Sequence, residues 1–274
     1  MRATAGAGQV IAIVGAYDDP NAEADLNVFG TAFGLPLCTT ANGYFTTVDQ
    51  DGDTKYPKSN SGWALEISLD VQWAYAIAPS AHFLLVEAKS AAFKNLMTAE
   101  DYAKTHANYV SNSWGTAEFV GESAYDAHFV QPDVSFFVSS GDMGIRAQYL
   151  SSSGGGCSLY ENATIDQQNF STYGQVNCVS KRATPDISLA ADLKSGVSVY
   201  DSAPYLGQTC WWRVGGTSAA ARMWAGRAAN SGETVNADYV YGNRIHFRDV
   251  TSGNNGTSAL TGYDLVTGRG SWND

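Results

Sequence analysis

Residues 63–73, "WALEISLDVQW", predict an apolar helix that carries two acids. Glu66 and Asp70 are four residues apart, so on a helix their carboxylates lie on one face, one turn apart. Like charges at this spacing repel by roughly 0.2–0.5 kcal/mol on an exposed helix, and burial increases the cost. Because Pro79 follows, we expect the helix to span about residues 62–78. Either the two acids are ordinary exposed helix residues, or the helix keeps them together for a chemical purpose.

Strands and helices alternate on both sides of this helix. Residues 9–17 ("QVIAIVGAY") and 82–88 ("HFLLVEA") are short apolar runs typical of buried parallel strands. We expect further strands at 109–115, 134–144, 185–191, 196–201 and the start of 211–229, helices at 21–34, 98–107 and the end of 211–229, and a polar loop between 35 and 61. This order predicts an α/β fold with a mostly parallel central sheet flanked by helices, in a single domain spanning residues 1–274.

The composition excludes several classes of partner. The chain of 274 residues has a formal net charge of −11 and a pI of about 4.7, so neither nucleic acid nor an anionic membrane surface is expected to bind. No apolar run approaches the roughly 20 residues of a membrane span. Charged residues make up only 16%. This low charge is typical of a secreted protein for an acidic medium, and we expect a secreted monomer in its mature form, although the first residues are also compatible with a cytoplasmic protein.

Four cysteines allow two disulfides in three connectivities. Cys157 and Cys178 bracket a loop rich in Gly, Ser and Asn, and this is the pair that we expect to form. No Cys-x-x-Cys motif indicates a metal or redox site.

"GGTS", residues 215–218, marks a turn between a predicted strand and a predicted helix. Ser218 either caps the helix or acts as a nucleophile, because the positive end of the helix dipole favours developing negative charge there. The histidines, His82, His106, His128 and His246, have no motif around them. Glu66 is therefore the better candidate for the base. Asp70 would hold it in place, and the two carboxyls would share a proton at acidic pH.

Asp142 in "SSGDMG", residues 139–144, is the third acid of interest. As a carboxylate it would cap a turn. In its protonated form it could donate a hydrogen bond to an oxyanion, which again requires low pH.

These motifs together resemble the sedolisin family, the serine-carboxyl peptidases. The resemblance rests on "GGTSAAA", "SSGDMG", "SNSWG", the acidic helix and the two ends of the chain, "GQVIAIVGAYDDPNAEADL" and "FRDVTSGNNG" with "GYDLVTGRG". It implies a three-layer subtilisin-like fold and an acid-active endopeptidase that hydrolyses proteins or peptides. It places the nucleophile on Ser218, the base on Glu66, its partner on Asp70 and the oxyanion residue on Asp142. Trp114 resembles a tryptophan that lies near the acids in some members.

The resemblance also implies one structural Ca²⁺ near the C-terminus. The segments "RDVTSGNNG" and "LTGYD" would supply the carboxylates of Asp249 and Asp264 and the backbone oxygens of Val250, Leu260 and Gly262. A set made only of oxygen ligands suits calcium. An ordinary loop rich in Asp and Asn is the alternative.

Several positions depart from the family pattern. Arg222 stands where relatives usually have proline, Gly15 stands where they usually have an acid, and the segment after Asp142 is short. Two alternatives to an active peptidase therefore stay open. One is a catalytically impaired, calcium-stabilised binding scaffold. The other is a glycosidase using Glu66 and Asp70, although carboxyls one turn apart on one helix rarely flank a sugar bond.

Overall fold

The computed structural model describes residues 4–142, 154–242 and 247–273. Its centre is a five-stranded parallel sheet in the order β2-β3-β1-β4-β5. The strands are β1 (Val10–Ala16), β2 (Phe45–Asp49), β3 (His82–Ala88), β4 (Tyr109–Asn112) and β5 (Ser135–Val138). β1 lies in the middle, and its near-continuous apolar run fits a strand that is covered on both faces.

Helices cover both faces of the sheet. They are α1 (Ala22–Phe33), α2 (Ser61–Ile77), α3 (Phe93–His106), α4 (Ile165–Asn169), α5 (Thr217–Ser231) and α6 (Ala237–Tyr241), with two 3₁₀ helices at Glu122–Phe129 and Tyr173–Val176. Antiparallel pairs complete the elements: β6 (Gly156–Asn162) with β7 (Lys181–Thr184), β8 (Val197–Tyr205) with β9 (Gln208–Val214), and β10 (Phe247–Arg248) with β11 (Ser271–Trp272).

Alternate residues of β1 face two different helical layers, as the two-residue period of a strand requires. Ile11 and Ile13 belong to the core that includes residues of α1, α2 and α5. Ala12 and Val14 belong to the opposite core, which includes residues of α3. The predicted three-layer arrangement, with a parallel sheet between helices, is confirmed.

α2 begins and ends where local chemistry requires. The Asn60 side chain caps its N-terminus by accepting hydrogen bonds from the backbone N–H groups of Gly62 (3.0 Å) and Trp63 (3.1 Å). The helix ends at Ile77, just before Pro79, which could not continue its hydrogen bonds.

α2 and α5 lie side by side and run in the same direction. Asp70 of α2 contacts Arg222 of α5, and one turn further along both helices Gly226 lies against Ala74 and Ile77. A Cβ on Gly226 would lie 2.8 Å from the Ile77 Cβ and 2.9 Å from the Ala74 carbonyl oxygen. Only glycine allows this close approach.

Some predictions at the level of single elements were wrong. The segment 35–61, predicted as loop, contains β2, and α3 begins at Phe93 rather than at residue 98. Residues 185–191 form no strand, and the predicted strand at 134–144 ends at Val138, with residues 143 and 144 outside the described part of the chain.

The Cys157–Cys178 disulfide is confirmed, while Cys38 and Cys210 are free. Across the described residues, no helix is both long enough and apolar enough to cross a bilayer.

Candidate active site

Ser218 is the second residue of α5, directly after the turn made by Gly215 and Gly216. Gly216 has φ of +127°, a conformation that side-chain-bearing residues rarely adopt. Ser218 is partly exposed, and within the described ranges its hydroxyl has no hydrogen-bond partner. The hydroxyl is therefore free for chemistry at the N-terminus of a 15-residue helix.

Asp142 lies against the same helix end. Its Oδ1 accepts hydrogen bonds from the backbone N–H of Thr217 (2.6 Å) and from the Thr217 hydroxyl (3.0 Å). A Cβ on Gly216 would lie 2.8 Å from Asp142 Oδ2, so glycine is required for Asp142 to approach. The turn-capping role considered for Asp142 is thus observed, and it brings the carboxyl to the residue next to Ser218.

Asp70 forms a buried ion pair with Arg222. The exposed fractions are 2% and 0%. Arg222 Nη2 donates to Asp70 Oδ2 at 2.6 Å, and Arg222 Nε lies 2.6 Å from Oδ1 without pointing at it, so Nε adds charge attraction rather than a hydrogen bond. Ser113 donates to Oδ1 at 3.0 Å, and Arg222 Nη1 donates to the Ser111 hydroxyl.

The pKa of Asp70 reflects these contacts. Burial raises the pKa of Asp70, the guanidinium of Arg222 opposes that rise by favouring the carboxylate, and the negative charge of Glu66 adds to the rise. Asp70 is held by a cation, which the sequence did not predict.

Glu66 is only partly buried, but its Oε1 is enclosed and has no hydrogen-bond partner among the described residues. In the same part of the chain, no hydrogen bond joins Glu66 to Asp70 or to Ser218. Donors from Arg222 and Ser113 engage both oxygens of Asp70.

The register of α2 and α5 brings Ser218 to the level of Glu66. Asp70 contacts Arg222, and Ala74 contacts Gly226, so the partners on the two helices differ by 152 in residue number at both levels. One turn toward the N-termini, the same difference pairs Glu66 with Ser218. Over one further turn, about 5.4 Å, two adjacent helices that run in the same direction stay at nearly the same level.

Other positions singled out in the sequence lie close to this centre. The Trp114 indole N–H donates to the Val14 carbonyl at 3.1 Å, which anchors the segment after β4 to β1. Gly15 faces α2, and a Cβ there would lie 3.0 Å from Ile67 Cγ1, so a larger residue would require Ile67 to move. The missed participants are Arg222, Ser111 and Ser113. An arginine in the small-residue run "SAAARMWAG" was the available signal.

The histidines are engaged elsewhere. His82 is exposed and stacks on Tyr44, His106 stacks on Tyr102, and His128 Nδ1 lies 2.9 Å from Asp101 Oδ2. His246 lies outside the described residues. None of the three described histidines contacts Ser218.

A large cavity, about 1090 Å³ in volume, borders the N-terminal part of α5. Thr217, Ala220 and Ala221 line it from α5, Ser139 and Ser140 from the end of β5, and residues 184–192 from the opposite side. Neither Ser218 nor Glu66 lines it, so it adjoins the candidate site without containing it. The short segment that follows Asp142, residues 143–153, lies outside the described part of the chain.

The two C-terminal loops predicted to bind calcium come together. Asp249 Oδ2 accepts from the Gly262 N–H and Asp264 Oδ2 accepts from the Leu260 N–H, both at 2.8 Å. Asp264 is fully buried, and its Oδ1 accepts from Val266 and Thr267. Asp249 Oδ1 is enclosed without a hydrogen-bond partner among the described residues. These turns are hydrogen-bonded loops, and they leave one carboxylate oxygen unused.

No protein-family model matches the sequence, and no curated protein matches it. Solved structures do. A sedolisin (serine-carboxyl proteinase) from Pseudomonas, complexed with two molecules of pseudo-iodotyrostatin, is 23% identical over 99% of this chain and 91% of its own, with a TM-score of 0.78. A lanthipeptide protease is 15% identical over 96% and 86% with a TM-score of 0.54, and a cold-adapted subtilisin-like serine proteinase is 16% identical over 93% and 89% with a TM-score of 0.50.

The chain has the subtilisin-like fold. The predicted fold class is therefore confirmed, and the resemblance to sedolisin extends to the three-dimensional structure. Within this subtilisin-like fold, the chain brings Ser218, Asp142 and the acidic helix to one end of α5. It also places an ion pair, Asp70 with Arg222, one helical turn below Ser218 and Glu66.

Proposed function

We propose that the chain is an acid-active serine-carboxyl endopeptidase that cleaves proteins or peptides through an acyl-enzyme on Ser218. The observation that carries this proposal is the helix register, which puts the unpartnered hydroxyl of Ser218 at the level of the unpartnered carboxylate oxygen of Glu66. The structural similarity to sedolisin supports the same conclusion.

The mechanism follows from the chemistry of each group. Glu66 accepts the proton of the Ser218 hydroxyl as the oxygen attacks the substrate carbonyl carbon. Glu66 then returns that proton to the leaving amine, which gives an acyl-enzyme. Water attacks the ester while Glu66 takes the water proton, and the carboxylic acid product leaves as Ser218 regains its hydrogen. Glu66 works as a base only when ionised.

Asp142 assists at the oxyanion. Its Oδ1 is committed to the two donors of Thr217, while Oδ2 accepts neither of those bonds. In an acidic medium a proton on Oδ2 could be donated to the substrate oxygen as negative charge develops there. The N-terminus of α5 favours the same charge.

We further propose that one Ca²⁺ stabilises the C-terminal loops. The residues fit, because Asp249 Oδ1 is unpartnered in the described structure and the carbonyl oxygens of Val250, Leu260 and Gly262 accept no backbone hydrogen bond there. With Asp264 they form a set made only of oxygen ligands. Across the described residues no three His, Cys, Asp or Glu side chains group around a metal position, so carbonyls would supply most of the ligands. Addition of calcium should raise the melting temperature, and EDTA should reverse the gain. Asp249→Ala should abolish the response.

Secretion and a monomeric state complete the proposal. The low content of charged side chains and the net charge of −11 suit an acidic exterior, where many carboxylates are neutral. Size-exclusion chromatography with light scattering should give a mass near 29.2 kDa. Fractionation of the source culture should find the protein in the medium.

Peptide cleavage between pH 3 and 8 tests the function. We expect a rate maximum on the acid side of neutrality, no turnover by Ser218→Ala, and a covalent adduct of a peptide aldehyde on Ser218 that mass spectrometry detects. Ser231→Ala, at the other end of α5, serves as the matched control and should keep full activity, because the Ser231 hydroxyl donates to the Ala228 carbonyl, away from the site. A maximum above neutrality, or full activity of Ser218→Ala, would contradict the mechanism.

A catalytically impaired scaffold is the second candidate. It is favoured by one observation, the engagement of Asp70 by Arg222 in place of Glu66. A scaffold would fold, bind peptide and form no adduct with the aldehyde.

A further inference from the structure

Arg222 has the largest fully buried side chain in the described structure. A buried guanidinium cannot give up its proton, so it requires a negative partner. Asp70 is that partner, on the facing helix.

Three elements hold the pair in place. Arg222 comes from α5 and Asp70 from α2, while Ser111 lies in β4 and Ser113 directly follows it. The two hydroxyls contact opposite members of the pair, because Ser113 donates to Asp70 and Ser111 accepts from Arg222. Such a network fixes the position of a carboxylate more firmly than one contact would.

A second pair of acids in the molecule shows the alternative. The carboxyls of Asp18 and Glu87 interact, and no cation contacts Glu87 among the described residues. Two carboxyls that face each other avoid repulsion only when one of them carries a proton. Asp70, next to Glu66, is instead in contact with a guanidinium. At the candidate active site a cation thus occupies the role that a proton has between Asp18 and Glu87.

We propose that Arg222 is a positioning residue, which holds Asp70 as a carboxylate so that Glu66 works as a base without a shared proton. This inference rests on the proposed function. If Glu66 and Asp70 shared one proton, the acid limb of the pH–rate profile would reflect the titration of both carboxyls. With Arg222 holding Asp70, ionisation of Glu66 alone sets that limb.

The groups around Asp70 define the electrostatics. Glu66 on α2 and Arg222 on α5 face it directly, and the side chains from the β4 end are neutral hydroxyls. On α3, Glu100 also interacts with the charge of Arg222. Without Arg222, Asp70 would keep a proton and donate it to Glu66, which would favour ionised Glu66.

Arg222→Met is the decisive variant. Its kcat/KM, measured between pH 3 and 8, should show an acid limb about one pH unit lower than that of the wild type. At a pH below both limbs, the variant should keep a fraction of its plateau kcat/KM that is about ten times the fraction that the wild type keeps of its own plateau. Arg227→Met, on the same helix, is the matched control and should leave the limb in place. A purely structural role would lower the yield or the plateau of Arg222→Met without moving the limb, and that result would overturn the inference.

Carbon NMR of carboxyl-labelled Asp70 tests the same point without activity. The carboxyl should titrate at higher pH in Arg222→Met than in the wild type, and identical titration would contradict the inference. If Arg222→Met does not fold, Arg222→Lys keeps the charge but loses the two-atom contact, and its shift should be smaller in the same direction. If the wild type cleaves no peptide, the proposed function fails and the NMR comparison still decides the role of Arg222.

Discussion

Buried acids are neutralised in two different ways in two regions of this molecule. Between α2 and α5, Asp70 is paired with the cation of Arg222. At the ends of β1 and β3, Asp19 and Glu87 are 3% and 0% exposed, and among the described residues no cation contacts them. Glu87 instead accepts the Asp19 N–H at 2.8 Å, and its side chain interacts with the Asp18 carboxyl. The first region is neutral because of an arginine, and the second becomes neutral only by binding protons.

The pKa values in the second region show the consequence. Burial raises the pKa of Glu87 to about 9, that of Asp19 to about 7 and that of nearby Asp201 to about 6. All three lie well above those of exposed carboxyls. The folded chain therefore binds protons that the unfolded chain releases, over the range from about pH 4 to pH 9.

The largest expected effect comes from removing the cation. Arg222→Met leaves Asp70 buried without a partner, and the unfolding free energy at pH 7 should fall by about 3–5 kcal/mol. Arg222→Met with Asp70→Leu removes both charges and should recover most of that loss, as measured by urea denaturation. If Arg222→Met alone were as stable as the wild type, Asp70 would not depend on the arginine for its neutralisation, and the two regions would not differ.

The next effect is the dependence of stability on pH. Because the folded-state pKa values of Glu87, Asp19 and Asp201 are raised, the native state binds more protons than the unfolded state between about pH 4 and pH 9. The unfolding free energy should therefore fall as pH rises through this range, because the unfolded chain releases these protons at lower pH than the native state does. Urea denaturation at pH 4, 6 and 8 checks the sign, and a free energy that rises with pH would contradict it.

The smallest expected change in unfolding free energy comes from one substitution in the second region, at Glu87. Glu87→Gln stays neutral at every pH, so it should be more stable than the wild type at pH 8 by about 1–2 kcal/mol and nearly equal at pH 4. Asp51→Asn, at an exposed acid, is the matched control and should be neutral at both values. Equal stability of Glu87→Gln and wild type at pH 8 would remove Glu87 from the set of proton-dependent acids.

The sequence was most informative where a local pattern decides the outcome. The apolar runs of β1 and β3, and the apolar helix pattern before Pro79, predicted β1, β3 and α2 closely. β2 was missed because "FTTVD" is short and half polar, and its strand state depends on pairing with β3. The early start of α3 was missed because Lys94 and Asn95 interrupt its apolar pattern.

The candidate active site was predictable only in part, because some of its contacts join segments that are far apart in the sequence. "GGTS" and the acidic helix indicate the candidate residues, because each motif by itself predicts whether its residues lie on a turn or on a helix. The pairing of Asp70 with Arg222 depends on how two helices 152 residues apart align, and no local pattern encodes that. The same holds for Glu87 and Asp19, which are separated by 68 residues.

The packing of α2 against α5 at Gly226 matters for the proposed catalysis. Gly226 lies eight residues beyond Ser218, about 12 Å along the helix axis. Its missing side chain lets α5 approach Ala74 and Ile77, so any added carbon would tilt or displace α5. The separation between Ser218 and Glu66, the proposed nucleophile and base, thus depends on a position far from both, where a single methyl group would not fit.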